Sequence, residues 1–190
     1  MKTIYKLILV LGLVGLIISC KPEIEVPAPS SGGLDLSNYL AIGNSLTAGY
    51  MDAGLYLEGQ DQSTPAILAK QFMEVNPNLP FSQPTMPVDG SGYLKLKDLD
   101  LANSIFVFEQ VPPDPGWTDQ IPGTYQNLGI TGIRVKDITV NGYGASIEQG
   151  NPYFYRILAA DEAMKSYLDK VSEAEISVYT CWIGNNDMLD

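Results

Sequence analysis

Histidine is missing from this chain of 190 residues, and cysteine occurs only twice, as Cys20 and Cys181. The chain therefore holds no imidazole base and no His/Cys pattern with the spacing of a metal site. Glycine-rich loops of the phosphate-binding and dinucleotide-binding types are also missing. The amide and acidic residues between 185 and 190 lack the spacing and the terminal glutamate of a calcium-binding EF-hand loop. We expect no metal and no organic cofactor.

Basic residues are scarce in the chain. There are 11 Lys and Arg against 22 Asp and Glu, which gives a formal net charge of −11. Because such a surface repels phosphate groups, nucleic acid is excluded as a partner. The apolar content of 45% is ordinary for a globular protein, and the length suits one domain.

The chain also lacks an apolar run of the roughly 20 residues that cross a bilayer. A shorter run over residues 7–18 follows Lys2 and Lys6, and this pattern is typical of a signal peptide. The run ends in the letters IISC, which resemble the lipobox of bacterial lipoproteins, with Cys20 as the lipidated residue. We expect residues 1–19 to be a lipoprotein signal peptide and Cys20 to hold the exported protein to a membrane of the cell envelope. The alternative is a secretory signal with an incidental cysteine.

The remainder of the chain divides into a tether and a domain. Residues 20–37 are rich in Pro, Ser and Gly, which predicts a flexible tether, and the domain follows over 38–190. Residues 39–42 form a short apolar run that predicts a buried strand, and a short helix is expected after Ser45. A longer helix is predicted to open at Thr64, with this residue as the N-cap and proline at the first helical position.

A proline-rich insertion covers residues 76–126 and is too long for an ordinary connection between a strand and a helix. Inside it, residues 94–97 alternate between Leu and Lys, and residues 105–108 are rich in β-forming side chains. The two stretches predict a β-hairpin arm. The arm either covers a substrate cleft or is an addition without a function.

The last third of the chain alternates again between strands and helices. A second core strand is predicted over 127–130, a helix capped by Asn151, an amphipathic helix over 161–171, and a strand over 176–183. This alternation predicts a parallel sheet with helices on both faces. Cys181 lies inside the last apolar strand, and we expect it to be an inert core residue.

Three polar turns, each directly after a predicted strand, carry a resemblance to a family. They read GNSLTAG over 43–49, NLGITG over 127–132 and GNND over 184–187. In this order they resemble the first three sequence blocks of the SGNH/GDSL hydrolases. The resemblance covers about residues 39–190, and it implies a three-layer α/β/α sandwich with a parallel sheet, the flavodoxin-like SGNH hydrolase fold.

The resemblance implies a role for one residue in each turn. Ser45 would be the nucleophile that attacks a small acyl ester and forms an acyl-enzyme. The oxyanion would be bound by the backbone N–H groups of Ser45 and Gly132 and by the side-chain amide of Asn186. Each residue also has a structural reading: Ser45 as a helix N-cap, Gly132 as the end of a strand, and Asn186 as the cap of a further helix.

Two departures from the family pattern concern the chemistry. Asn44 stands where the family has Asp, so the negative charge before the serine is lost. The family base is the histidine of a late Asp-x-x-His block, and this chain has no histidine. We expect the domain to be incomplete at the C-terminus, with that block encoded beyond Asp190 and with the fragment alone inactive. The alternative is a non-catalytic surface lipoprotein that binds glycan or lipid on the same scaffold.

Overall fold

The computed structural model describes residue 4 and residues 27–189. Cys20 and, apart from residue 4, the signal peptide predicted over 1–19 lie outside the described residues. Across the described part, every helix is too short or too polar to span a bilayer.

Residues 27–189 form five strands and five α-helices. In chain order these are β1 (Tyr39–Gly43), α1 (Ser45–Ala48), α2 (Leu57–Asp61), α3 (Thr64–Met73), β2 (Tyr93–Asp100), β3 (Ile105–Val111), β4 (Asn127–Gly129), α4 (Pro152–Tyr155), α5 (Tyr167–Ser172) and β5 (Val178–Trp182). Short 3₁₀ turns occur at Val135–Asp137, Ala160–Glu162 and Asn185–Asp187.

The core of the domain is a three-stranded parallel sheet in the order β4-β1-β5. Alternate side chains of β1 point to opposite faces of the sheet. Leu40 packs in one cluster with Phe154 of α4 and Tyr167 of α5. Tyr39 and its neighbours on the other face pack against α3. The predicted α/β architecture, a parallel sheet with helices on both faces, is therefore confirmed.

Two glycines allow α1 to lie directly against the sheet. A Cβ atom on Gly43 would collide with the Thr47 side chain and with the Trp182 carbonyl, and one on Gly129 would collide with the backbone of Ala48. Glycine at both positions therefore lets the helix approach strands β1 and β4 at backbone distance. This close approach fixes the position of the turn that carries Ser45.

The start of α3 differs by one residue from the prediction. Ser63, not Thr64, is the N-cap, and its hydroxyl accepts a hydrogen bond from the Ala66 N–H at 3.3 Å. Thr64 is already helical, so the proline occupies the second helical position and not the predicted first. Ser63 and Thr64 are adjacent hydroxyl residues, and the sequence pattern did not show which of them caps the helix.

The continuous helix predicted over 161–171 is wrong. The chain makes a 3₁₀ turn at Ala160–Glu162, and α5 begins only at Tyr167. Ser166 and Asp169 form a capping box: the Ser166 hydroxyl accepts from the Asp169 N–H at 3.2 Å, and the Asp169 carboxylate accepts from the Ser166 N–H at 2.9 Å. This box starts a new helix in the middle of the amphipathic pattern.

The prediction that Cys181 is a core residue is also wrong. Within the described residues β5 pairs only with β1, so it forms an edge of the sheet. Cys181 is a free thiol with an exposed side chain, and Tyr179 and Trp182 on the same strand are exposed as well. An apolar run alone does not distinguish a central strand from an edge strand.

The hairpin predicted inside the insertion is confirmed. Strands β2 and β3 pair antiparallel, with Asp100 opposite Ile105 at the closed end. Residues 101–104 make the turn, and Ser104 has a positive φ of 55°. Nearly every side chain of the hairpin is exposed or half-buried, so the arm projects from the domain.

Candidate functional site

The strand register brings the three polar turns to one edge of the sheet. Gly43, the last residue of β1, lies opposite Gly129 of β4 and Trp182 of β5. Because the strands are parallel, the turns that follow them leave the sheet on the same side. The Gly43 carbonyl also accepts from the Ile130 N–H at 2.9 Å, which extends the ladder into the second turn.

Ser45 is the first residue of α1, and its N-cap is Asn44. The Asn44 Oδ1 accepts from the Leu46 N–H at 3.1 Å, so this asparagine performs the capping role that was considered for Ser45. The Ser45 side chain is half-buried. Within residues 27–189 neither its hydroxyl nor its backbone N–H makes a hydrogen bond, so both groups are available to a ligand.

Asn44 also connects the first turn to the third. It is fully buried, and its Nδ2 donates to the Oδ1 of Asn185. The side chain is thus an acceptor toward α1 and a donor toward the third turn, a combination that an ionised aspartate cannot provide. Asn44 is therefore matched by an amide partner in the same structure.

The third turn is fastened to the second by two side chains. The Asn186 Nδ2 donates to the Ile133 carbonyl at 2.9 Å. The Asp187 carboxylate accepts from the Val135 N–H at 2.9 and 3.1 Å. The Asn186 Nδ2 thus points to the residue directly after the second turn, and the N-cap of the 3₁₀ turn that contains Asn186 is Gly184. One amide hydrogen of Asn186 remains for another acceptor.

Gly132 ends the second turn in a conformation that favours glycine. Its φ is +83°, and an added Cβ would find only the Asn151 Nδ2, at 3.7 Å. The residue is exposed, and its backbone N–H makes no hydrogen bond within residues 27–189. Gly132 does follow strand β4, but it lies three residues beyond the strand's end, in the turn that contacts Asn186.

Two residues that the sequence analysis did not assign to the site hold the turns in place. Tyr167 donates its buried hydroxyl to the Leu128 carbonyl at 2.7 Å and accepts from the Gly43 N–H at 3.1 Å, and burial raises its pKa. The Asn151 Nδ2 donates to the Thr131 carbonyl at 2.8 Å while its Oδ1 caps α4. Asn151 was predicted as a cap, but nothing in the sequence pattern indicated its second bond.

A small recess lies beside α1, on the side of β5. Its volume is about 120 Å³, and it is lined by Leu46, Thr47, Thr64, Pro65, Thr180, Cys181 and Trp182. Leu46 directly follows the serine in α1, so the recess borders the turn that carries the hydroxyl.

The chemical capacity of this edge follows from its donors. The backbone N–H groups of Ser45 and Gly132 and one amide hydrogen of Asn186 are uncommitted among the described residues, in turns that leave the same edge of the sheet. A base to activate the serine is not among the contacts of Ser45 within residues 27–189. In the same part of the chain no three carboxylate or thiol groups are grouped as metal ligands.

Known proteins provide no further evidence on this site. No family model, no curated protein and no solved structure matches the chain.

Proposed function

We propose that this chain is the N-terminal part of an SGNH/GDSL-type ester hydrolase that works through an acyl-enzyme on Ser45. The observation that carries the proposal is the hydrogen-bond network that joins three turns far apart in the sequence. Asn44 binds Asn185, and Asn186 binds the Ile133 carbonyl beside Gly132. The resemblance assigned one functional residue to each of these turns.

In the proposed reaction the Ser45 hydroxyl attacks the carbonyl carbon of a small acyl ester. The C–O bond to the alcohol breaks, and water later releases the acid from the serine. The oxyanion is stabilised by the N–H groups of Ser45 and Gly132 and by Asn186. Their uncommitted hydrogens support this role, since the loss of one such donor typically lowers kcat by roughly 10²–10³.

The recess beside α1 supports an ester with a small acyl group. Leu46 and Trp182 give it apolar walls, and its volume of about 120 Å³ limits what it can hold. Burial of a few methylene groups against these walls would contribute to substrate binding.

The base of the proposed enzyme is not a histidine of these 190 residues. The chain contains no histidine, and the Ser45 hydroxyl has no partner among the described residues. We propose that a longer form of the protein carries the Asp-x-x-His block and that its histidine takes the serine proton. The flavodoxin-like SGNH sandwich is part of the same proposal, and its support is the three-stranded parallel sheet with helices on both faces.

We further propose that the protein is exported and held to a membrane by lipid on Cys20. The support is the sequence alone: two lysines, a short apolar run and the IISC ending. Lipid attachment would place the domain in the cell envelope, at the periplasmic or the outer face.

The missing histidine also favours a second candidate function. A surface lipoprotein that binds glycan or lipid on the same scaffold needs the donors at the sheet edge but no base.

Hydrolysis of p-nitrophenyl acetate distinguishes the two functions. The 190-residue chain is expected to show no turnover above its Ser45→Ala variant. A gene product that extends through an Asp-x-x-His block is expected to turn the ester over, and Ser45→Ala is expected to abolish that activity. An extended protein that contains the block and remains inactive would reject the hydrolase and leave the binding function.

A further inference from the structure

The projecting hairpin has one face that is almost entirely apolar. Residues that pair across an antiparallel ladder lie on the same face, and alternate residues of one strand share a face. Leu94 pairs with Gln110, Leu96 with Phe108, and Leu99 with Phe106. We call this surface the apolar face; its six residues are Leu94, Leu96, Leu99, Phe106, Phe108 and Gln110.

A β-bulge keeps the apolar face continuous. The register shifts between Leu96 and Asp98, so Lys97 is an extra residue in β2. In a regular strand without the bulge, Leu99 would lie on the face opposite Leu96, three positions before it, because side chains alternate strictly along a strand. The bulge therefore turns the Leu99 side chain to the face of the hairpin that carries Leu96.

The opposite face of the hairpin carries its charged residues together with the apolar Ile105 and Val107. Lys95 pairs with Glu109, and the Lys97 Nζ lies 3.5 Å from a Glu109 carboxylate oxygen. Asp98 and Asp100 continue this face toward the turn. The arm is thus an amphipathic ribbon, with charges on one side and leucine and phenylalanine on the other.

The domain itself does not cover the apolar face. The five apolar side chains remain between 38% and 60% exposed. A two-stranded hairpin that packs against nothing is marginally stable in water, so an arm of this length needs a covering surface. Contiguous exposed apolar side chains of this kind mark interaction sites.

We infer that the apolar face of the hairpin is a dimer interface, covered by the same face of a second copy of this chain. The face is self-complementary, because it carries no charge and a two-fold axis at the Leu96–Phe108 pair places leucine and phenylalanine against their equivalents. Sheet-on-sheet packing of this kind sets the two ribbons about 10 Å apart.

The area of the face indicates how strong the dimer is. Five side chains, each about half exposed, offer roughly 450 Å² per copy, below the roughly 800 Å² of a standard interface. The dimer is therefore expected to dissociate in the micromolar range. An anionic lipid surface fits the face less well, because the hairpin has three acidic residues against two lysines.

Cross-linking at matched positions on the two faces tests the inference. The full chain is prepared in a Cys20→Ser, Cys181→Ser background, with Leu96→Cys on the apolar face or Lys95→Cys on the charged face. A bis-maleimide of about 10 Å span matches the expected separation of two packed sheets. Leu96→Cys is expected to give a product of twice the 20.7 kDa chain mass, at least 10-fold more than Lys95→Cys. Equal yields at both positions, or no product at 100 µM protein, would overturn the inference.

Sedimentation equilibrium provides the second measurement. Phe108→Asp places a charge in the centre of the apolar face and is expected to leave a monomer where the parent chain dimerises. Phe108 is exposed and packs in no core cluster, so the thermal unfolding midpoint is expected to stay unchanged. Absence of a Leu96→Cys cross-link, together with phosphatidylcholine-vesicle binding that Phe108→Asp abolishes, would assign the face to lipid and overturn the dimer.

Discussion

Replacement of Asn44 with alanine removes two interactions at once, and the structure gives a magnitude for the loss. The N-cap bond to the Leu46 N–H contributes about 1 kcal/mol. The bond to Asn185 contributes about 1 kcal/mol more, and its loss leaves a half-buried amide oxygen without its donor, at a cost of about 1 kcal/mol. Asn44→Ala is therefore expected to lower the free energy of unfolding by about 2–3 kcal/mol.

Ser63→Ala is the matched control for this prediction. Ser63 is equally a buried N-cap, of α3, but its side chain makes only the bond to the Ala66 N–H. Its loss is expected to cost about 1 kcal/mol. Urea unfolding of both variants, followed by far-UV circular dichroism, gives the difference. Equal losses for the two variants would refute the claim that Asn44 also fastens the third turn to the first.

Three further predictions address the support of the site. Tyr167→Phe leaves the Gly43 N–H and the Leu128 carbonyl without their buried partner, and urea unfolding is expected to show a loss of about 1–3 kcal/mol; a loss below about 0.5 kcal/mol would contradict this. Gly43→Ala is expected to lower the free energy of unfolding more than Gly132→Ala in the same assay, because a Cβ on Gly43 collides with the backbone of Trp182. A Cβ on Gly132 is disfavoured only by the positive φ of that residue, which costs about 1 kcal/mol. The reverse order of the two losses would contradict the close approach of α1. The Ala159 N–H and the Lys165 ammonium lower the pKa of Glu162 to about 2, so its contribution is complete above its ordinary pKa near 4.5 and disappears as the pH falls toward 2. Glu162→Gln is expected to lose about 1 kcal/mol at pH 7 and clearly less at pH 2, where half of the folded-state carboxylate is protonated; a loss that stays constant from pH 7 to pH 2 would contradict the assignment.

Local patterns predicted most of the elements that carry the site. The apolar run before Ser45 forms the predicted strand, and the Asn-Pro pair at 151–152 starts the predicted helix. The alternation of strands and helices predicted the parallel sheet, because parallel strands need crossover connections. The hairpin followed from alternation and from a turn-forming segment between two β-rich stretches.

One error arose where tertiary context decides, and the other where a local Ser-x-x-Asp capping motif was missed. Cys181 lies in an apolar strand, but the exposure of that strand depends on what lies beside β5, which a local pattern does not contain. The pattern over 161–171 is amphipathic as described, but the capping box of Ser166 and Asp169 starts a new helix inside it. Both cases depend on contacts that periodicity does not express.

The bonds between the turns could not be predicted from the sequence. The Asn44–Asn185 pair spans 141 positions, and the Tyr167 hydroxyl reaches Leu128 from a helix whose pattern indicates only an apolar side chain. A hydrogen bond between residues that are far apart in the chain produces no periodic pattern in the sequence. The resemblance identified which turns meet, and the structure adds the side chains that join them.

Acylation of a thiol at position 45 tests the central claim most directly, because a thiolate needs no histidine to activate it. Ser45→Cys in the Cys20→Ser, Cys181→Ser background is mixed with p-nitrophenyl acetate, and the burst of p-nitrophenol is measured with and without Asn186→Ala. If the turns form an oxyanion site, the thiolate reacts at least 10-fold faster than free cysteine, and Asn186→Ala lowers that rate about 10²-fold. A rate equal to that of free cysteine, unchanged by Asn186→Ala in a folded protein, would contradict the account.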